Sequence, residues 1–242
     1  MSLLRLDSVS RRFGGVLALR DVSFSVDSGE ILGLMGANGA GKTTLFNLIS
    51  GAMRPNSGAV LFDGRRIDGL RPDQIARRGI GRTYQIVRPF PGMTVLENLM
   101  VSAAYGMRRA SNLEQAAEAA MPILEHLGLA GRSHDLASGL TLAGRKRLEI
   151  ARALALSPRL LLLDEVMAGL TPVEVAECLQ MLRDVRASRN LTLICIEHNM
   201  RALMSLCGRI VVLHHGERIA EGAPAEIGRN EAVITAYLGK AR

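Results

Sequence analysis

The nine residues GANGAGKTT at positions 36–44 constrain the fold of this chain more than any other feature. They follow the apolar run ILGLM and open KTTLFNLISG, where Leu45, Leu48 and Ile49 share a helical face and Gly51 offers a C-terminal stop. A strand, a turn of the form G-x-x-x-x-G-K-[ST] and a helix together make a phosphate-binding loop. Gly36, Gly39 and Gly41, interleaved with Asn38 and Ala40, let the backbone wrap closely, so that successive N–H groups face phosphate oxygens at the positive end of the helix. Lys42 is expected to reach the β- and γ-phosphates, Thr43 to hold Mg²⁺ through its hydroxyl, and Thr44 to add a phosphate contact. For this composition about 0.003 chance matches are expected over the whole chain, which argues against an ordinary glycine-rich turn. Only three lysines, Lys42, Lys146 and Lys240, stand among 30 basic residues, so a lysine kept at position 42 is itself informative.

A second motif, LLLLDE at 160–165, reads as an apolar strand ending in two carboxylates. Asp164 is expected at the carboxyl edge of the sheet beside the loop, holding Mg²⁺ through water, with Glu165 polarising an attacking water. The competing reading is an acidic start to the next helix. His198 follows LICIE at another strand end and is a candidate contact for the γ-phosphate region, with a structural histidine as the alternative.

Strand and helix patterns alternate at both ends of the 242 residues, while about 95–157 is helical. The expected fold is α/β: a P-loop NTPase core with a mainly parallel sheet, an antiparallel β region and an inserted α-helical subdomain. The expected division of this single domain is 1–88 with 158–242 as the core and about 89–157 as the subdomain. A mean hydropathy of +0.17 is high, yet the longest uncharged stretches, 31–41 and 43–53, fall far short of a membrane-spanning helix. The N-terminal residues lack a secretory signal, which points to the cytoplasm. Cys178, Cys195 and Cys207 show no metal spacing and read as buried thiols. The net charge of +7 raises nucleic acid as a partner, but 3% aromatic content and dispersed basic residues argue against it. Arg65, Arg66, Arg71, Arg77, Arg78, Arg82 and Arg88 form the densest basic group, expected on a solvated or membrane-adjacent face.

With GANGAGKTT, LLLLDE and IEH in this order, the chain resembles the ATP-binding subunits of ABC transporters over essentially its whole length. RTYQ, MTVLENL, RLEIARAL, AGLTPVE and AYLG are similar to the branch serving branched-chain, hydrophobic amino-acid importers. The resemblance implies an ATPase using ATP and Mg²⁺ at the cytoplasmic face of the inner membrane. Its implied partners are permease subunits, a second ATP-binding subunit in a homo- or heterodimer and, indirectly, a periplasmic solute-binding protein. It also implies that Phe13 stacks on adenine, with core packing as the competing role. By the same resemblance Gln85 contacts Mg²⁺ and the attacking water, and His198 is the switch histidine. Val87, Phe90, Pro91 and Met93 are candidates for docking the permease, with ordinary packing as the favoured alternative for any one of them. The rival functions are a nucleotide-gated switch with little turnover, transport of another small solute such as amides or urea, and an ABC-type ATPase of DNA repair or translation, against which the lack of a long coiled-coil insertion or second cassette counts.

In that family a signature LSGGQ loop meets the γ-phosphate on the opposite chain, so a lone chain has no complete site. Here the stretch is LTLAG: Thr141 keeps the hydroxyl, Leu142 and Ala143 replace glycines, and Gly144 replaces glutamine. Ala143 still presents its N–H if its φ is negative. Val166 and Thr171 stand where the family often has proline and aspartate.

Overall fold

A computed structural model describes residues 2–84 and 89–238. The chain forms two compact units, one made of residues 1–72 and 192–242, the other of 73–191. In the first unit β1 (Ser2–Phe13) and β2 (Val16–Asp27) pair antiparallel, with bulges that let Leu3 and Leu4 both face inward. The buried run β3 (Ile31–Met35) leads into the phosphate loop and α1 (Lys42–Ile49). α1 buries Leu45, Phe46, Leu48 and Ile49 completely and stops before Gly51, whose φ of 73° is the left-handed geometry a helix end favours. β4 (Ser57–Phe62) and β5 (Arg65–Arg66) complete an antiparallel sheet of order β2-β1-β4-β5 around Leu4, Leu6, Val9, Val22, Val26 and Val60.

The second unit opens with α2 (Pro72–Arg77) and β6 (Ile80–Arg82). Three helices follow: α3 (Val95–Ala103), α4 (Leu113–His126) and α5 (Leu142–Ala155), each started by a side-chain cap from Thr94, Asn112 or Thr141. They pack on one another through Leu99, Ala103, Ala120, Ile123, Leu124, Leu148 and Ile150. The wholly buried Asn98 accepts from the Phe90 N–H and donates to the Phe90 and Thr94 carbonyls, pinning the loop before α3. β7 (Leu160–Asp164) runs parallel to β6, and α6 (Pro172–Arg189) ends at Asn190 in the left-handed region.

The chain then returns to the first unit as β8 (Thr192–Ile196), α7 (Met200–Leu206), β9 (Arg209–His214), β10 (Glu217–Gly222), α8 (Pro224–Ile227) and α9 (Glu231–Leu238). β3 lies between β8 and β9, parallel to both, and β10 folds back antiparallel on β9 at Gly216. Strands covered on both faces read as unbroken apolar runs, as in LTLICI and RIVVL. The fold class is the expected one: parallel strands with covering helices, a separate antiparallel sheet and a helical segment. The three cysteines are buried thiols, as expected. Among the described residues no helix is long and apolar enough to cross a membrane.

Candidate active site

The phosphate loop is braced from behind and open in front. A Cβ on Gly36 would lie 2.5 Å from the Leu213 carbonyl oxygen, and one on Gly41, at φ 105°, 2.7 Å from that of Ala18. Both positions therefore need glycine because neighbouring backbone passes so close. Gly39, at φ 79°, has nothing within 4 Å of its would-be Cβ, so the curve of the loop leaves room for a ligand there. Two hydrogen bonds fasten the outside: Gly216 N–H donates to Ala40 O at 3.1 Å, and Arg20 N–H donates to Gly216 O at 2.8 Å. From α9, the Tyr237 phenol lies beside the Gly36 backbone, and burial pushes it above the usual tyrosine range.

At the start of α1 no side chain caps the helix and no acid occupies the first turn, which suits an anion. The Lys42 ammonium is buried against the Gly36 and Ala37 carbonyl oxygens, at 2.6 and 3.1 Å, a positive charge held over the loop. Thr43 and Asn38 are exposed and Thr44 half-buried. Gly41→Ala is expected to lower stability by about 1–3 kcal/mol through overpacking and backbone strain. It should weaken nucleotide binding about tenfold or more, as read by denaturant unfolding and titration with a fluorescent ATP analogue.

The parallel pairing of β3 with β8 brings two sequence candidates to one sheet edge. The carboxyl end of β3 delivers the loop, and that of β8 delivers the buried Glu197 and the exposed His198. Asn199 then caps α7 by accepting from the Ala202 N–H. Phe13, at the end of β1, is 42% exposed with the Arg11 guanidinium 4.9 Å from its ring centre, so it is not a core residue.

In the second unit β6 and β7 deliver residues 82–84 and 164–165 to one edge. Asp164 is buried, pairs with Arg82 at 3.2 Å and donates its N–H to the Thr83 hydroxyl at 3.0 Å. Arg82 therefore does not belong to the solvated arginine face expected for it: its side chain is 7% exposed because it neutralises a carboxylate inside. Breaking such a pair from one side typically costs about 3–5 kcal/mol. Arg65, Arg66, Arg71, Arg77 and Arg78 are exposed as expected. β7 stops at Asp164, and Glu165 turns out of the strand at φ 52°, a region that non-glycine residues occupy only when held there. Gln85, Val87 and Arg88 lie outside the described residues.

Thr141 caps α5 by accepting from the Gly144 N–H at 3.2 Å, and Ala143 has ordinary helical geometry. Its N–H keeps the direction of a helix start, which meets the condition set by the sequence. Thr171 is likewise committed within the chain: it forms a capping box with Glu174, whose carboxyl is held below the usual glutamate range chiefly by the Thr171 backbone N–H. Phe90 and Met93 are exposed, and Pro91 with them. Sequence reasoning missed one set of contacts. Lys146 on α5 is buried and donates to the Glu165 carbonyl at 2.9 Å, and Glu149, one turn on, accepts from the Tyr84 N–H. The scarcity of lysine was the available signal.

Residues 19–168 match the family model described as ABC transporter, and residues 217–242 match that of the branched-chain amino acid ATP-binding cassette transporter. The chain is 40% identical to the high-affinity branched-chain amino acid transport ATP-binding protein LivG of Salmonella typhimurium, over 99% of this chain and 98% of that one. It is 38% identical to BraF of Pseudomonas aeruginosa, which bears the same description, with the same coverage. Among solved structures, the ADP conformation of an ATP-binding cassette of an ABC transporter superposes with a TM-score of 0.88 at 30% identity, covering 99% of this chain and 100% of that one. The chain belongs to the ATP-binding cassette family of ABC transporters and is an ATPase of that class.

Proposed function

We propose that this chain is the ATP-hydrolysing subunit of an ABC importer for branched-chain or other hydrophobic amino acids. The observation that carries the reading is the match of its last 26 residues, 217–242, to the branched-chain family, joined to the near full-length likeness to LivG and BraF. Two such cassettes, alike or different, close on ATP at the cytoplasmic face of the inner membrane and drive permease subunits fed by a periplasmic solute-binding protein. Within each, residues 1–88 and 158–242 form the nucleotide-holding core and about 89–157 the helical subdomain.

The loop N–H groups from Gly36 to Thr44 and the Lys42 ammonium take the phosphates, neutralising charge that builds on them during transfer. Phe13, exposed and flat, stacks on the adenine. The oxygens of the Thr43 hydroxyl, the Asp164 carboxylate, which the Arg82 guanidinium already keeps ionised, and Gln85 are of the kind a hard cation takes, so these residues would hold Mg²⁺, which would supply positive charge against the phosphates. Glu165 takes up the proton of the attacking water, while Gln85 and His198 orient that water and the γ-phosphate. Thr141, Ala143 and Gly144 at the start of α5 serve the ATP of the partner cassette, and the Gln85 segment carries closure to the permease.

The test is ATP-driven uptake by the complex reconstituted in vesicles. Accumulation of labelled leucine, isoleucine or valine, lost when ATP is omitted, is the expected result. Accumulation of urea or an amide instead would overturn the assignment of cargo, and nucleotide binding without phosphate release would favour a regulatory switch.

A further inference from the structure

Two polar contacts of α5, made by Lys146 and Glu149, run toward the residues that follow β7 and β6. Lys146 is 6% exposed, and its ammonium reaches the Glu165 carbonyl at 2.9 Å, where the Ala168 N–H also donates at 3.3 Å. Glu165 sits at φ 52°, so its backbone has left the strand and needs fixing from outside. A charged donor on a carbonyl makes a stronger bond than a neutral one, and burial strengthens it further. Glu149 supplies the compensating charge on the same helix face while accepting the Tyr84 N–H, one residue before Gln85. Burial raises the Glu149 carboxyl above the usual range, and the Lys146 charge works against that rise.

We propose that Lys146 is a positioning residue for ATP hydrolysis: its ammonium fixes the backbone turn at Glu165 and so aims the carboxylate that activates water. This rests on the reading of Glu165 as the proton acceptor. One consequence joins two sites. The first turn of α5 serves the partner's ATP, so engagement of that turn is felt at Glu165 of the same chain through Lys146.

The experiment is steady-state hydrolysis by the full-length protein, with Lys146 replaced alone and together with Glu165. Lys146→Met is expected to lower kcat about 10- to 100-fold with KM for ATP within about twofold, and Lys146→Arg to restore most of the rate. On a Glu165→Gln background the methionine change should add less than about twofold. Should Lys146→Met fail to fold, Lys146→Gln, which keeps a neutral N–H donor, is read on the same kcat and KM split. An equal loss on both backgrounds, a raised KM at constant kcat, or an arginine variant as slow as the methionine one would overturn the proposal. A Glu165→Gln protein as fast as the parent would instead overturn the reading beneath it.

Discussion

Glu165→Gln is expected to reduce phosphate release about 100- to 1,000-fold while leaving ATP affinity within about threefold of the parent. The substitution keeps shape and volume and removes only the ability to take a proton from water. Glu165 lies outside β7, half-buried, with its carbonyl held by Lys146 and Ala168, so the glutamine should adopt the same backbone. ATP then stays bound and unhydrolysed, and closed dimers accumulate. Single-turnover measurements with labelled ATP, beside equilibrium binding, separate the two quantities. A variant that turns over at the parent rate would remove Glu165 from the chemistry.

Lys42→Met should be as damaging by a different route. On its proposed role the ammonium meets the phosphates both before and during transfer, so the loss should fall on binding as well as rate. KM is expected to rise at least about tenfold and kcat/KM to fall about 1,000-fold, the scale of removing a charged donor from a transferring phosphoryl group. The aliphatic stem of methionine fills much of the same buried space, and the Gly36 and Ala37 carbonyls lose a donor. A modest drop in melting temperature should accompany the kinetic effect. Unaltered ATP affinity in a folded Lys42→Met protein would show that the loop is not the phosphate site.

The two substitutions also separate sources of failure. On the proposed roles, loss of binding is expected from changes in the first unit, where Gly36, Gly41 and Gly216 shape the loop, and loss of turnover from changes at the strand end of the second.

Much of this was legible in the sequence because the features concerned are local. ILGLM, LLLL and LTLICI announce buried strands by unbroken apolar runs, and the glycines of 36–41 announce a turn that few other residues tolerate. Pro172 marked the first residue of α6, and Gly216 the turn between β9 and β10. β1 was not legible. Its bulges and the positive φ of Ser8 break the alternation that betrays a strand, so SLLRLDSVSRRF lacks a clean period of two. Long-range pairings were hidden for a different reason. Nothing in RTYQ tells that its arginine neutralises Asp164, 82 residues away, and nothing in AGRKR separates the buried Lys146 from the exposed Arg145 beside it. Such partners are chosen by where β6, β7 and α5 come to rest, which no spacing rule encodes.

The hairpin of β9 and β10 gives the tail of the chain a part in events at the opposite end of the sequence. The stretch that marks the branched-chain lineage starts beside Gly216, whose amide clasps Ala40, and it ends just past Tyr237, whose phenol touches Gly36. The tail thus borders the loop that opens α1, and a substitution within it has a short mechanical path by which to retune how firmly nucleotide is held.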